Sequence, residues 1–389
     1  MKYLFINTVA GNTSTGTITA NLCRKLMKEG NDCVLAYGRW KVNCDDVPTY
    51  RIGTDTDYKI HGLMTRLFDL QGFCSTAATN KFVDWIKSYD PDVIWLHNLH
   101  GYYLNIEVLF DYLKTSGKEI RWTLHDCWAF TGHCTYFTMA KCDQWKTHCK
   151  KCSQLKEYPA CYGISNVSRN FNRKRKAFTR VHNLTLITPS QWLADLTRES
   201  FLKEYPVKVI HNIINTEIFK PTASDFRNKY GIVDKIMLLG VANGMDAWKG
   251  LPDFIKLAGM LDDRYVIVLV GVEEKNINGS PQNIIALTRT NDQKELAGIY
   301  STADLFLNLT HQDNYPTVNL EAQACGTPVV TYRTGGSPES VPAENVVEEG
   351  DFKALMKNIS RIPDLRVGGG KAYKLIILVP DLWIGGLAV

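Results

Sequence analysis

No run of about 18 apolar residues occurs in this 389-residue chain, so nothing in it reads as a membrane-spanning helix. It has no low-complexity tract and no large excess of one charge: 45 basic against 40 acidic residues leave a net +5. That balance excludes the electrostatic footprint of a general nucleic-acid binder. Its one dense basic run is Arg173, Lys174, Arg175 and Lys176. The opening MKYLFINTVAGNT has too short an apolar stretch for a secretory leader. A cytoplasmic protein is expected, with at most a peripheral contact at the inner face of a membrane. Without an export signal the eleven cysteines read as free thiols or a metal site, not as disulfides.

What is present is the composition of a soluble globular protein, 45% hydrophobic and 22% charged. The length exceeds one ordinary core and implies two domains. Apolar strand-like runs alternate with helical periodicity. KYLFIN (2–7), CVLAY (33–37), DVIWLHN (92–98), IRWTLHD (120–126) and LTLITPS (184–190) read as strands, and NIEVLFDYLK (105–114) and the Ser-capped SQWLADLTRESFL as helices. IMLLGVAN (236–243) restarts the pattern, followed by YVIVLVG, NIIAL, DLFLNLT and TPVVTY. This grammar predicts α/β architecture: two doubly wound Rossmann-like domains facing across a cleft, at residues 1–205 and 206–361. Residues 362–389 form an atypical tail that fits neither pattern. Ligands of such sheets bind at the carboxyl ends of the strands.

The sequence HQDNYPTVNLEAQACGTPVV (311–330) places Asp313 in a loop after a strand and Glu321 inside the next helix, with seven residues between them. The free amides of Thr317, Val318 and Asn319 at the helix start form an anion site. Phosphate on those amides and sugar hydroxyls on the two carboxylates, with Asn314 between, describe a nucleotide-sugar site. The competing reading is an amphipathic helix with a solvated Glu. Lys249, beside Gly250 at a strand end, is placed to meet a phosphate, although an ordinary surface lysine satisfies the same pattern. The Gly11–Gly16 loop approaches a phosphate or acceptor without a Cβ clash, and Gly16 joins the binding set. Asn243 lies over a strand end, and Arg289, Thr290 and Asn291 line a base pocket. His125 ends a strand, with Asp126 to orient its ring; His97, Asn98 and His100 form a second polar cluster on that rim. By spacing alone His125 is equally a satisfied interior histidine.

DNYPTVNLEAQACGTPVV resembles the acid-x7-Glu signature of the retaining glycosyltransferases of family 4, which have the GT-B fold. Asp313 stands where many members have Glu. TGGSPE (334–339) resembles the family's second Gly-rich turn, and LHDCWAFTGHC and WLHNLHGYYLN resemble a capsule and exopolysaccharide subgroup. The likeness runs over residues 1 to 361. It implies transfer of a sugar, with retention and without a cofactor, from a nucleoside-diphosphate sugar to a saccharide or lipid-linked saccharide. It further implies that Glu321 binds the ribose, Asp313 and His125 the donor sugar, and Lys249 and the helix amides the diphosphate. The family's usual Arg five residues before the lysine is Gly244 here, which leaves Lys256 or Arg289 to compensate.

Cys134, Cys142, Cys149 and Cys152 form C-x7-C-x6-C-x2-C, a spacing that either completes a tetrahedral structural zinc, with His133 or His148 as substitute ligands, or holds free thiols. Two other readings keep the same architecture: a nucleotide-sugar or glycan binding protein without turnover, and a nucleotide-sugar epimerase, which needs acid/base groups on both sugar faces.

Overall fold

The computed structural model describes residues 1–242 and 244–361; Asn243 and the tail at 362–389 lie outside the described residues. The chain divides into two compact units, Met1–His211 and Asn212–Val389. No helix among the described residues is long and apolar enough to cross a membrane.

The first unit runs β1 (Lys2–Asn7), α1 (Thr13–Lys28), β2 (Asp32–Tyr37), β3 (Thr49–Arg51), α2 (Asp55–Phe68), α3 (Thr76–Tyr89), β4 (Val93–Leu96), α4 (Ile106–Thr115), β5 (Glu119–Thr123), α5 (Val167–Phe178), β6 (Leu184–Thr188), α6 (Gln191–Glu199) and β7 (Val207–Val209). All seven strands are parallel, in the order β3-β2-β1-β4-β5-β6-β7. Because β7 pairs with β6, this unit extends past the expected boundary at residue 205. Strand side chains alternate between two cores. Leu4 and Ile6 enter one, Tyr3 and Phe5 the other. A strand apolar on both faces needs helices on both, and that requirement selects the parallel, doubly wound sheet. Fully burying a Leu, Ile or Phe contributes roughly 1.5–3 kcal/mol, more than a typical helix cap at about 1 kcal/mol. The strands therefore dominate the fold, and caps such as Ser190 on Leu193 N trim helix ends.

The second unit repeats the design with α7 (Phe226–Lys229), β8 (Ile236–Val241), α8 (Leu251–Ala258), β9 (Tyr265–Val270), β10 (Ile284–Leu287), α9 (Gln293–Thr302), β11 (Leu305–Asn308), α10 (Thr317–Ala324), β12 (Val329–Tyr332), β13 (Val346–Val347) and α11 (Phe352–Ile359). Its six parallel strands run β10-β9-β8-β11-β12-β13. Gly326 follows the last turn of α10 with φ 87°, the left-handed residue that ends the helix.

Each sheet reverses its winding once, between β1 and β4 and between β8 and β11. Such a reversal is where open α/β sheets bind their ligands. The loops bearing the expected chemistry, after β1 and β4 in the first unit and after β8 and β11 in the second, flank those two junctions.

The structure changes two local expectations. The Gly11–Gly16 stretch is mostly helix, because α1 begins at Thr13 and buries Gly16 against Val9, where a Cβ would lie 2.9 Å from Val9 Cγ2. Gly16 therefore serves helix-to-loop packing. The basic run at 173–176 is only half a surface patch. Lys174 is fully buried, with Nζ donating to Trp128 O at 2.8 Å and lying 3.6 Å from the Trp128 ring centroid. Arg173 is tied to Glu107.

Candidate functional site

In the second unit three loops meet at the β8/β11 junction. His311 N donates to Trp248 O at 2.8 Å, Thr334 Oγ1 to Thr310 O at 2.7 Å, and Gly336 N to Asp313 O at 3.3 Å. Two glycines allow this approach. Gly250 has φ 87° and a Cβ there would sit 2.2 Å from Leu309 O; Gly335 has φ 53° and its Cβ would sit 1.8 Å from Asp313 O. Any side chain at either position would push the loops apart.

This lacing brings Lys249 and Asp313 together, with Nζ 2.7 Å from Oδ2. Asp313 Oδ1 also accepts from Asn314 N at 2.9 Å, and Lys249 stacks 4.7 Å from the Trp248 ring centroid. Asn314 is buried beside them. Helix α10 starts immediately after, with Pro316 at its N-cap and no side-chain cap. The amides of Thr317 and Val318 have no acceptor inside the helix. Asn319 differs from expectation: its N–H is taken by Pro316 O at 3.2 Å, and its side chain is buried between Asn308 and Ser340. It shapes the helix start from inside and offers no amide to a ligand.

Glu321, one turn further in, is half-buried and accepts from Tyr300 OH at 3.1 Å. Burial raises its carboxyl from 4.5 to about 7, against the opposing hydrogen bonds from Tyr300 and Thr317. A carboxylate that burial penalises and two hydroxyls only partly satisfy is short of donors. Sugar hydroxyls would supply them.

His311 lies between two acids, Nδ1 2.6 Å from Glu349 Oε1 and Nε2 2.9 Å from Asp253 Oδ2, with the Tyr332 ring against it. The bond to Asp253, then that to Glu349, raises its pKa from 6.5 to about 9. Sequence reasoning gave this residue no role. The imidazolium joins α8 to the segment before α11 and so braces the Asp313 loop. Since the folded value lies above the unfolded one, this stabilisation is complete below 6.5 and is lost as pH rises through about 9. We expect His311→Gln to lose about 2 kcal/mol of stability at the acid end of that window, with the deficit vanishing at its alkaline end. Thermal denaturation of both proteins across pH checks it, and a pH-independent deficit would count against the charge.

Arg289 is exposed after β10 and forms no ion pair among the described residues. Lys256 lies 4.3 Å from the Phe352 ring centroid, turned toward α11. Gly244 is exposed, with nothing within 4 Å of a Cβ built on it. Neither Lys256 nor Arg289 is thereby gathered to Lys249.

In the first unit, His125 follows β5 and meets His97, which follows β4: His97 Nδ1 lies 2.9 Å from His125 Nε2. Burial lowers His125 to about 4, leaving it neutral. The expectation that Asp126 orients His125 is corrected. Asp126 Oδ2 pairs with His100 Nε2 at 2.8 Å and its Oδ1 accepts from Trp128 N at 2.8 Å. His100 in turn reaches Tyr158 OH at 3.1 Å.

The zinc reading of the cysteine window is not supported. Among the described residues no group of three or more His, Cys, Asp or Glu is arranged to hold a metal ion. Cys149 Sγ accepts from Gly132 N at 3.3 Å, and Cys134 hydrogen-bonds to Cys152. Burial pushes the Cys149 thiol up to about 11, while the hydrogen bond with Cys134 lowers the Cys152 thiol to about 6. His133 is engaged with Asp69 at 2.6 Å, and His148 with Ser168 at 2.8 Å.

Residues 15–218 match the family described as Glycosyltransferase Family 4, and residues 223–366 match Glycosyl transferases group 1. The chain belongs to glycosyltransferase family 4. This family 4 chain is 27% identical over 262 residues to the colanic acid biosynthesis glycosyl transferase WcaC of Escherichia coli, covering 65% of this chain and 62% of WcaC. It is 26% identical over 176 residues to the N,N'-diacetylbacillosaminyl-diphospho-undecaprenol alpha-1,3-N-acetylgalactosaminyltransferase of Campylobacter jejuni, covering 42% and 46%. It thus spans less than two thirds of the length of these curated relatives. Among solved structures, Anabaena HepE in complex with UDP superposes with a TM-score of 0.65 at 15% identity, covering 94% of this chain and 91% of HepE. That likeness establishes the fold, GT-B, with its two doubly wound parallel units.

Proposed function

We propose that this family 4 protein moves a sugar from a nucleoside-diphosphate sugar to a hydroxyl of a saccharide or lipid-linked saccharide, with retention, in cell-surface polysaccharide synthesis. One observation carries the reading: Lys249, Asp313, the open α10 amides and the donor-poor Glu321 all border the β8/β11 junction. The diphosphate rests on the amides of Thr317 and Val318 and draws Lys249 toward it. Asp313, released from that pair, takes hydroxyls of the transferred sugar. Glu321 accepts from the ribose. As the glycosidic bond breaks, Lys249 and the helix start stabilise the charge growing on the leaving phosphate, the electrostatic contribution that usually dominates. The leaving phosphate itself takes the acceptor proton on the same face, a route that needs no pair of carboxylates. His125 is assigned to the sugar on the family resemblance alone.

The names of the relatives favour a polysaccharide or a diphospho-undecaprenol-linked acceptor, and the HepE complex makes UDP the first donor base to try. The exposed cations of α5, Arg175 and Lys176, suit loose contact with an anionic membrane carrying such an acceptor. Thermal-shift and calorimetric screening of nucleoside diphosphates and their sugars tests donor binding, since a ligand specific for the folded state raises the melting temperature. Binding followed by transfer to a lipid-linked saccharide extract supports the reading. The Gly244 substitution favours one alternative, a binding protein without turnover, which would bind donor and transfer nothing.

A further inference from the structure

His97 is 1% exposed, and its ring lies among Phe5, Trp95 and His125, with centroids 6.0, 6.1 and 5.2 Å away. Its backbone is fixed on both sides: N–H to Ile6 O at 2.9 Å, and O accepting from Trp122 Nε1 at 3.1 Å. Its Nδ1 meets His125 Nε2, and its Nε2 is buried with no hydrogen-bond partner. Burial holds both rings neutral, His97 well below 6.5 and His125 at about 4.

A 2.9 Å contact between two neutral imidazoles contains one proton. If His125 donated it, His97 would accept on Nδ1 and carry its own proton on Nε2, a buried N–H with no acceptor. If His97 donates, its Nε2 is a bare lone pair in an aromatic pocket. Orphaned buried N–H groups are the rarer and costlier defect. The two arrangements also differ for His125: only the second forces its proton onto Nδ1.

We infer that His97 is a positioning residue that donates from Nδ1 to His125 Nε2 and thereby fixes His125 as the Nδ1–H tautomer. His125 then cannot use Nε2 as a base, because that lone pair is filled from the core. It contributes as a neutral group of fixed orientation and does not exchange protons during transfer. The carboxylate nearest in sequence, Asp126, acts on His125 through its charge alone, its oxygens being held by His100 Nε2 and Trp128 N. The effect on transfer rests on the assignment of His125 to the sugar; the tautomer does not.

The test uses the full chain carrying 15N-histidine. Long-range nitrogen–proton spectra at neutral pH should show both His97 and His125 protonated on Nδ1 and bare on Nε2. A proton on Nε2 of either ring overturns the inference. His97→Gln keeps an amide donor for His125 Nε2 and should preserve the His125 spectrum and near-normal transfer. His97→Leu should leave His125 a mixture of tautomers and lower kcat roughly tenfold, the scale of one lost buried hydrogen bond, with the donor KM little changed. Equal losses in both variants would mean that His97 only fills space. If the Leu variant does not fold, the wild-type spectrum and the Gln variant still decide. A wild type with the expected spectrum and no transfer to any acceptor would overturn the proposed function and leave this inference standing.

Discussion

Glu321→Gln weakens nucleoside-diphosphate binding roughly a hundredfold, the loss expected when about two hydrogen bonds to a charged acceptor are removed. The same substitution makes the folded protein more stable at alkaline pH. Its carboxyl rises from 4.5 to about 7 because burial penalises the ionised form. The folded state therefore binds the proton more tightly than the unfolded chain does, and stability falls as pH rises between those two values. Above about 7 the full penalty is present in the wild type and absent in the Gln variant. A group kept at a cost to the fold belongs to a site more often than to a scaffold. Nucleotide affinity should also rise with pH through the same range, because a ligand that donates to the carboxylate binds the ionised form. Titration calorimetry and thermal denaturation of both proteins, each at acid and alkaline pH, measure all three effects. Unchanged affinity in the variant would remove Glu321 from the nucleotide site.

Lys249→Ala lowers kcat for transfer by about two to three orders of magnitude, the usual loss for one donor aimed at a growing anion. The effect is expected at the large end because Gly244 supplies no second cation, Lys256 stacks on Phe352, and Arg289 is exposed after β10. The variant also leaves Asp313 without its 2.7 Å partner beside the diphosphate, so donor binding weakens as well. A nucleoside lacking phosphates should bind both proteins alike. Lys249→Arg should recover part of the activity, since the charge returns with different reach. Single-turnover transfer with the donor in excess isolates the chemical step. A Lys249→Ala protein that turns over at the wild-type rate would refute the leaving-group assignment.

Local signals carried much of the molecule. Strands apolar at every position, such as YVIVLV at 265–270, have one stable use: a parallel sheet covered on both faces. Short strands are not legible in the sequence. Thr49–Arg51, Val207–Val209 and Val346–Val347 sit at or near sheet edges, where pairing with a neighbour, and not their own pattern, makes them strands. In the sequence the helix α5 shows only as a charge run, because its apolar face is interrupted by Lys174, whose burial depends on Trp128 distant in sequence. The zinc expectation came from spacing, and spacing does not say which way a thiol turns.

By itself, the sequence determined the class of the sheets, the order of strand and helix, and the place of Asp313 and Glu321 around a helix start, since these follow from periodicity, capping and turn chemistry within a few residues. Only the tertiary structure decided which groups are partners: Lys249 with Asp313, His125 with His97 instead of Asp126, His311 with Asp253 and Glu349. Those pairings join loops tens of residues apart through the winding of the sheets. The charge and tautomer of each group depend on burial and on neighbours that no local stretch of chain contains.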